Sequence, residues 1–153
     1  MSAINDLTKA MHRHLWRIAC LILLGQPITA QGAVQVIGND RGGFIGSRAI
    51  EITELNRTGT RVELRGRVCY SACTLYLGAD DLCISAGTTF GFHGPSQHGQ
   101  PLPPRQFEHW SQVMASHYNP ALRRWFMAQA RHRISGYYRF KGTELIAMGY
   151  PAC

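Results

Sequence analysis

Arg65–Pro95 reads RGRVCYSACTLYLGADDLCISAGTTFGFHGP, and the fold is decided there. Just before it, Arg61–Leu64 alternates charged and aliphatic residues, as a strand does when one face is covered. This strand runs into a turn. The turn gives way to a small-residue helix that opens at Ser71 and stops at Gly78. Thr74, Leu75 and Leu77 are expected to pack that helix into the core. Leu82-Cys83-Ile84 reads as a buried strand fragment, and Thr88–His93 as another. Alternation along the second puts Phe90 and Phe92 on one face, Gly91 and His93 on the other. From Ser71 to His93 is 22 residues, room for a helix, a turn and a returning strand. Both side chains are then expected at the same end of the sheet.

A serine at the first turn of a helix has a specific chemical use. The backbone N–H groups there lack intrahelical partners and carry partial positive charge. They can stabilise an oxyanion forming beside the serine oxygen. A histidine at the end of a neighbouring strand can take the serine's proton. Each residue also has a plainer use. A serine at a helix start is often an N-cap, and a histidine at a strand end is often held by a backbone carbonyl.

Ser71-Ala72-Cys73, the helix ending near Gly78, the apolar strand and Phe92-His93-Gly94-Pro95 resemble the Clp protease proteolytic subunit and its crotonase-fold relatives. The nucleophile segment Val68–Thr74 is most like that of predicted periplasmic Clp-protease-like proteins. Upstream, Asn39-Asp40-Arg41-Gly42-Gly43 looks like the family's Asn-Ser-Pro-Gly-Gly turn, with Asp40-Arg41 in place of Ser-Pro. The resemblance spans about Val34 to Tyr150, with gaps. It implies Ser71 as nucleophile and His93 as base. It also implies the N–H groups of Gly43 and Ala72 as oxyanion donors, with Gly42, Gly94 and Pro95 holding the substrate backbone. No cofactor and no metal are implied. Clp subunits assemble into rings, so a homo-oligomer is an expectation that the sequence leaves open.

A serine–histidine pair works best with an acid that orients the imidazole. In the Clp subunit this acid lies before the closing helix. The matching stretch, Arg131–Tyr138, contains no Asp or Glu, and beyond Asp81 the chain has only Glu108 and Glu144. Glu108, a backbone carbonyl or Ser135 could orient His93, or catalysis could be lost and the cleft kept. A serine–lysine dyad is disfavoured, because Lys141 is remote in sequence from Ser71.

The first thirty residues read as a targeting segment. Arg13 and Arg17 precede the apolar run Ile18–Leu24, and Pro27 and Ala30 follow. The run is shorter than the roughly 20 residues a membrane span needs. A signal peptide cut near Ala30 is expected, with an uncleaved N-terminal anchor as the alternative. Residues 31–153 then form one domain.

The whole chain carries a formal charge of +7. Lys9, Arg13 and Arg17 against Asp6 account for +2 of it, leaving +5 downstream, almost all arginine. These charges are scattered from Arg41 to Arg139 without a nucleic-acid-binding motif, so a solvated surface is expected and no nucleic-acid partner. Cys69, Cys73, Cys83 and Cys153 make an even number in an exported chain, which favours disulfides over a metal site. Their spacing with His93 and His98 matches no zinc motif. Sequence leaves three pairings open.

Outside the central stretch, Ala33–Ile37 reads as a strand and Gly38–Gly43 as a turn. Ile45–Asn56 reads as a helix with Ile45, Ala49 and Ile52 on one face. Ser96–Pro104 is a polar, proline-rich loop. Arg105–Met148 reads as largely helical, with a break at Asn119-Pro120 and a last helix over Thr143–Met148.

The expected fold is therefore α/β, a trimmed Clp-protease/crotonase-like domain. It would have a short, mostly parallel sheet, flanking helices and a helical C-terminal part. The expected function is a periplasmic or secreted serine hydrolase, a peptidase acting on a peptide or protein. The alternative is a non-catalytic module of the same fold that binds peptide or acyl groups. The missing acid leaves open whether the chain is an enzyme.

Overall fold

Strand β1 (Val34–Ile37) lies parallel to β2 (Arg61–Leu64), which lies parallel to β4 (Leu82–Ile84). Val62 pairs with Leu82, and Leu64 with Ile37 and Ile84. All five side chains enter the core. This is the first of two three-stranded sheets in the computed structural model, which describes Gly32–Cys153. The expected leader, residues 1–30, lies outside the described residues. The described chain is a mixed α/β domain.

The second sheet runs in the order β3 (Val68–Tyr70), β5 (Thr89–Phe92), β8 (Tyr138–Lys141). β3 and β5 are parallel; β5 and β8 are antiparallel. A single bridge between Asp40 and Cys69 continues the parallel pairing on the far side of β3. The expectation of one mostly parallel sheet is thus corrected to two sheets, one all parallel and one mixed. Val68–Tyr70 is a strand where a turn was expected. Asp40 supplies its missing neighbour, accepting from Tyr70 N–H at 2.9 Å and donating to the Val68 carbonyl at 3.1 Å.

Helix α1 (Ile45–Arg57) packs on the helix that follows β3 and buries Ile52 in the same core as Ile37. That following helix, Ser71–Gly78, is a 3₁₀ helix rather than an α-helix. Thr74, Leu75 and Leu77 are buried in it, as their positions predict. A run of this length with i→i+3 bonding is uncommon and marks a constrained segment. Its end is constrained too: a Cβ at Gly78 would stand 2.8 Å from the His117 Cα.

β6 (Ser96–Gln97) and β7 (Gln100–Pro101) form a two-residue hairpin inside the expected loop. His98 and Gly99 turn it with positive φ, as a tight hairpin requires. Helices α2 (Pro104–Ser116) and α3 (Pro120–Ala128) follow. Asn119 caps α3, its side chain accepting from the Leu122 N–H at 3.0 Å. Leu122 and Phe126 are buried there, and Phe92 stands edge-on to Trp125 and Tyr118.

Helix does not continue to Met148 as expected. A short 3₁₀ turn (Ala130–His132) leads into β8, whose Tyr-Arg-Phe-Lys alternates half-buried and exposed residues. Only α4 (Gly142–Ala147) closes the chain. The C-terminal residues then return beside β4: Ile84 N–H donates to the Pro151 carbonyl, and Cys153 N–H to the Ile84 carbonyl. Two disulfides form, Cys69–Cys73 and Cys83–Cys153, which suits an oxidising compartment. Among the described residues no helix is long and apolar enough to cross a membrane.

Candidate functional site

Ser71 follows the last residue of β3 with φ +57°, the left-handed region that β-carbon-bearing residues avoid. Among the described residues only His98 shares a positive φ without being glycine, and the hairpin turn accounts for it. No turn of that kind accounts for Ser71. Its φ turns the chain sharply from strand into 3₁₀ helix. The hydroxyl does not act as an N-cap: Tyr70 holds that position, and no side chain caps the helix. Instead Ser71 Oγ lies 2.6 Å from His93 Nε2.

The strain at Ser71 is held from several sides. The Cys69–Cys73 disulfide brackets it, closing a loop of sequence separation 4. Thr74 Oγ1 donates to the Ser71 carbonyl at 2.8 Å and is hydrogen-bonded to the buried Tyr118 hydroxyl at 2.7 Å. Gly42 lies immediately behind the serine.

His93 is the first residue after β5, half-buried, with its ring edge-on to Tyr137 at 5.2 Å. Tyr137 in turn packs on Tyr70 at 4.7 Å, and the two rings close over Gly91, where a Cβ would stand 2.6 Å from Tyr70. Burial pushes the imidazole below its ordinary value of 6.5, while the Gly94 backbone works weakly the other way. His93 is thus held neutral, the form that accepts a proton.

Its other nitrogen, Nδ1, is buried and makes no hydrogen bond of acceptable geometry among the described residues. The three orienting groups that the sequence allowed are all occupied elsewhere or out of contact. Glu108 binds Arg131 and Gln112, which hold its carboxyl below the usual range. Ser135 gives Nδ1 no bond, and the Gly94 backbone acts on the ring without a well-formed one. The segment expected to carry an acid does run against Gly94, next to the histidine. Gly94 N–H donates to the Arg133 carbonyl at 2.8 Å, and a Cβ on Gly94 would overlap the Arg131 carbonyl oxygen. This segment brings backbone, and no carboxylate, against the residue that follows His93.

Gly42 and Gly43 have φ +109° and +149°. Gly42, expected to hold substrate, lies behind Ser71 and outside the cleft wall. The N–H groups of Gly43 and Ala72 are uncommitted among the hydrogen bonds of the described residues. Gly43 lines the cleft, whereas Ala72 is fully buried behind Ser71. Gly42 N–H is committed to Asp40 Oδ1 at 2.7 Å. Asp40 Oδ2 is paired with Arg48 Nη2 at 2.7 Å, and Arg48 also contacts the Tyr76 hydroxyl, which donates to Glu51. Burial first, then the Glu51 contact, keep that phenol protonated. Sequence reading missed Asp40. An Asp two residues before a Gly is the signature of an Asx turn and was the available signal.

Ser71, His93, Gly43, Gly94 and Pro95 all line one cleft of about 630 Å³. Its further walls include Phe44, Ile45, Leu102, Trp110 and Met114, and its lining contains no Asp, Glu, Lys or Arg. Phe44 is 84% exposed at the rim and Met114 is buried at the floor. Of the sequence-derived site, the four cysteines pair as two bridges, one beside Ser71 and one at the C-terminus. His98, read as a surface residue, is exposed and borders the cleft from the hairpin tip.

The chain matches no protein-family model and no curated protein.

Proposed function

We propose that the protein is a serine hydrolase of Clp-protease/crotonase-like fold, acting on peptides in an oxidising compartment outside the cytoplasm. The observation that carries this reading is the 2.6 Å contact between Ser71 Oγ and His93 Nε2, made by a serine in a strained backbone conformation. Strain of this kind persists only where surrounding structure enforces it, and it concentrates at functional positions. The order of the Gly-Gly bend, the serine helix and the histidine strand around one cleft supports the likeness to the Clp subunit.

In this reading Ser71 Oγ attacks the carbonyl carbon and passes its proton to His93 Nε2. The carbonyl oxygen becomes an oxyanion held by the N–H groups of Gly43 and Ala72. The imidazolium returns the proton to the leaving amine, and water then releases the acyl group by the same exchange. Without an acid at Nδ1 the imidazolium is less stabilised, and turnover should be slow. Loss of the acid in a full triad costs on the order of 10⁴ in rate. The uncharged cleft suits neutral, apolar side chains beside the scissile bond, because a charged one would be desolvated without a partner.

The test is a p-nitrophenyl ester of a medium-length fatty acid. The folded protein should release a burst of nitrophenol equal to one equivalent, then turn over slowly. Ser71→Ala should remove the burst. A burst of equal size in Ser71→Ala would reject the assignment.

A second reading, a non-catalytic cleft that holds an extended peptide, is favoured by one observation, the missing partner of His93 Nδ1. It predicts no burst, with saturable binding of apolar peptides that Trp110→Ala weakens.

A further inference from the structure

We propose that Asp40 is a positioning residue that sets the oxyanion bend against the nucleophile; this rests on the hydrolase reading above. Asp40 is tied to both halves of the site by its backbone and its side chain. Its backbone grips the serine strand, accepting from Tyr70 N–H at 2.9 Å and donating to the Val68 carbonyl at 3.1 Å. Its side chain grips the bend, Oδ1 accepting from Gly42 N–H at 2.7 Å. Tyr70 immediately precedes Ser71, and Gly42 immediately precedes Gly43. Asp40 therefore links the nucleophile to an oxyanion donor, while Asn39 beside it accepts from the Arg67 and Val68 amides of the same strand approach.

The carboxylate is itself held. Arg48, one turn into α1, binds Oδ2 at 2.7 Å, and both side chains are largely shielded from solvent. Arg48 stacks over the Tyr76 ring at 4.4 Å and contacts its hydroxyl, which anchors the arginine to the 3₁₀ helix that begins at Ser71. The network thus closes a circuit: bend, Asp40, Arg48, Tyr76, and back along the helix to the serine. Spending the Gly42 N–H on Asp40 keeps the bend closed and leaves the next N–H, that of Gly43, uncommitted at the cleft wall. No other described side chain binds the Gly42 amide.

The probe is an alkyl fluorophosphonate, with the saturation constant and the maximal rate of covalent labelling measured separately. Asp40→Ala should lower the maximal rate about 100-fold, the scale of a misplaced reacting geometry, with the saturation constant within about 3-fold of wild type. Asp40→Asn retains the acceptor for Gly42 and should recover most of the rate. Asn119→Ala, which removes the cap of α3 away from the site, is the control for simple destabilisation and should label at the wild-type rate. Amide exchange at Gly42 gives a readout independent of chemistry: it should accelerate in Asp40→Ala and stay slow in Asn119→Ala. Labelling of Asp40→Ala at the wild-type maximal rate, or an equal loss in Asn119→Ala, overturns the proposal. If the wild type itself fails to label, the hydrolase reading falls. Gly42 exchange then decides whether Asp40 holds the bend: unchanged exchange in Asp40→Ala overturns that too.

Discussion

Gly42 lies directly against Ser71: a Cβ on Gly42 would stand 2.6 Å from the serine Cβ and 3.0 Å from its Oγ. The adjacent Gly43 has open space where its Cβ would go. Both have positive φ, so both substitutions strain the backbone, but only one displaces the nucleophile. Gly42→Ala should abolish covalent labelling by a fluorophosphonate. Gly43→Ala should retain a measurable part of it. Equal rates for the two variants would show that the bend does not confine Ser71.

The backbone of Ser71 predicts a trade between stability and chemistry. Left-handed φ costs a residue with a β-carbon about 1 kcal/mol that glycine avoids. Ser71→Gly should therefore unfold in urea with about 1 kcal/mol more stability than Ser71→Ala, both having lost the hydroxyl. If the alanine variant is the more stable, the strain is absent.

His93 sets the pH dependence. Its value is held below 6.5, chiefly by burial, and the neutral ring is the base. Labelling should stay level from about pH 8 down to 6.5 and fall only as pH drops through the lowered value. Stability follows the same ring. The unfolded chain takes up this proton near 6.5 and the folded chain only at lower pH. The contribution of the neutral ring to folding is therefore complete above 6.5 and is lost as pH falls through the folded value. An acid limb lying above 6.5 would contradict the burial of the imidazole.

The two disulfides should separate stability from activity. Chain-entropy reasoning gives about 2 kcal/mol for the short Cys69–Cys73 loop and about 4 kcal/mol for Cys83–Cys153, which spans 70 residues. Cys83→Ala/Cys153→Ala should lower the melting temperature more. Cys69→Ala/Cys73→Ala should lower the labelling rate more, because this bridge brackets Ser71. Melting curves and labelling rates of the two double variants check this; the same ranking in both would contradict it.

Some of this was legible in the sequence, for identifiable reasons. Ser71 and His93 stood out because a small-residue helix start and a strand-end histidine fall 22 residues apart, a separation that lets the chain return. The strands Arg61–Leu64 and Leu82–Ile84 were visible because their apolar residues face a covered core. β3 was hidden because Arg65-Gly66-Arg67 looks like a turn, and its partners, β5 on one side and Asp40 by a single bridge on the other, lie far away in the chain. β8 was hidden among aromatic residues at helical spacing, although Tyr-Arg-Phe-Lys alternates with period two. The left-handed backbone of Ser71 is imposed by β3, the disulfide and Thr74 together, and no local propensity announces it. Nor does sequence reveal that the segment where an acid was sought packs its backbone against Gly94 and leaves His93 Nδ1 without a partner.

The most direct measurement is the site of covalent modification. Wild type, Ser71→Ala and His93→Gln are each incubated with an alkyl fluorophosphonate, digested and mapped by mass spectrometry. The account predicts an adduct on Ser71 in the wild type, none in Ser71→Ala, and labelling slowed at least about 100-fold in His93→Gln. An adduct on another residue, or undiminished labelling of Ser71 without His93, would contradict it.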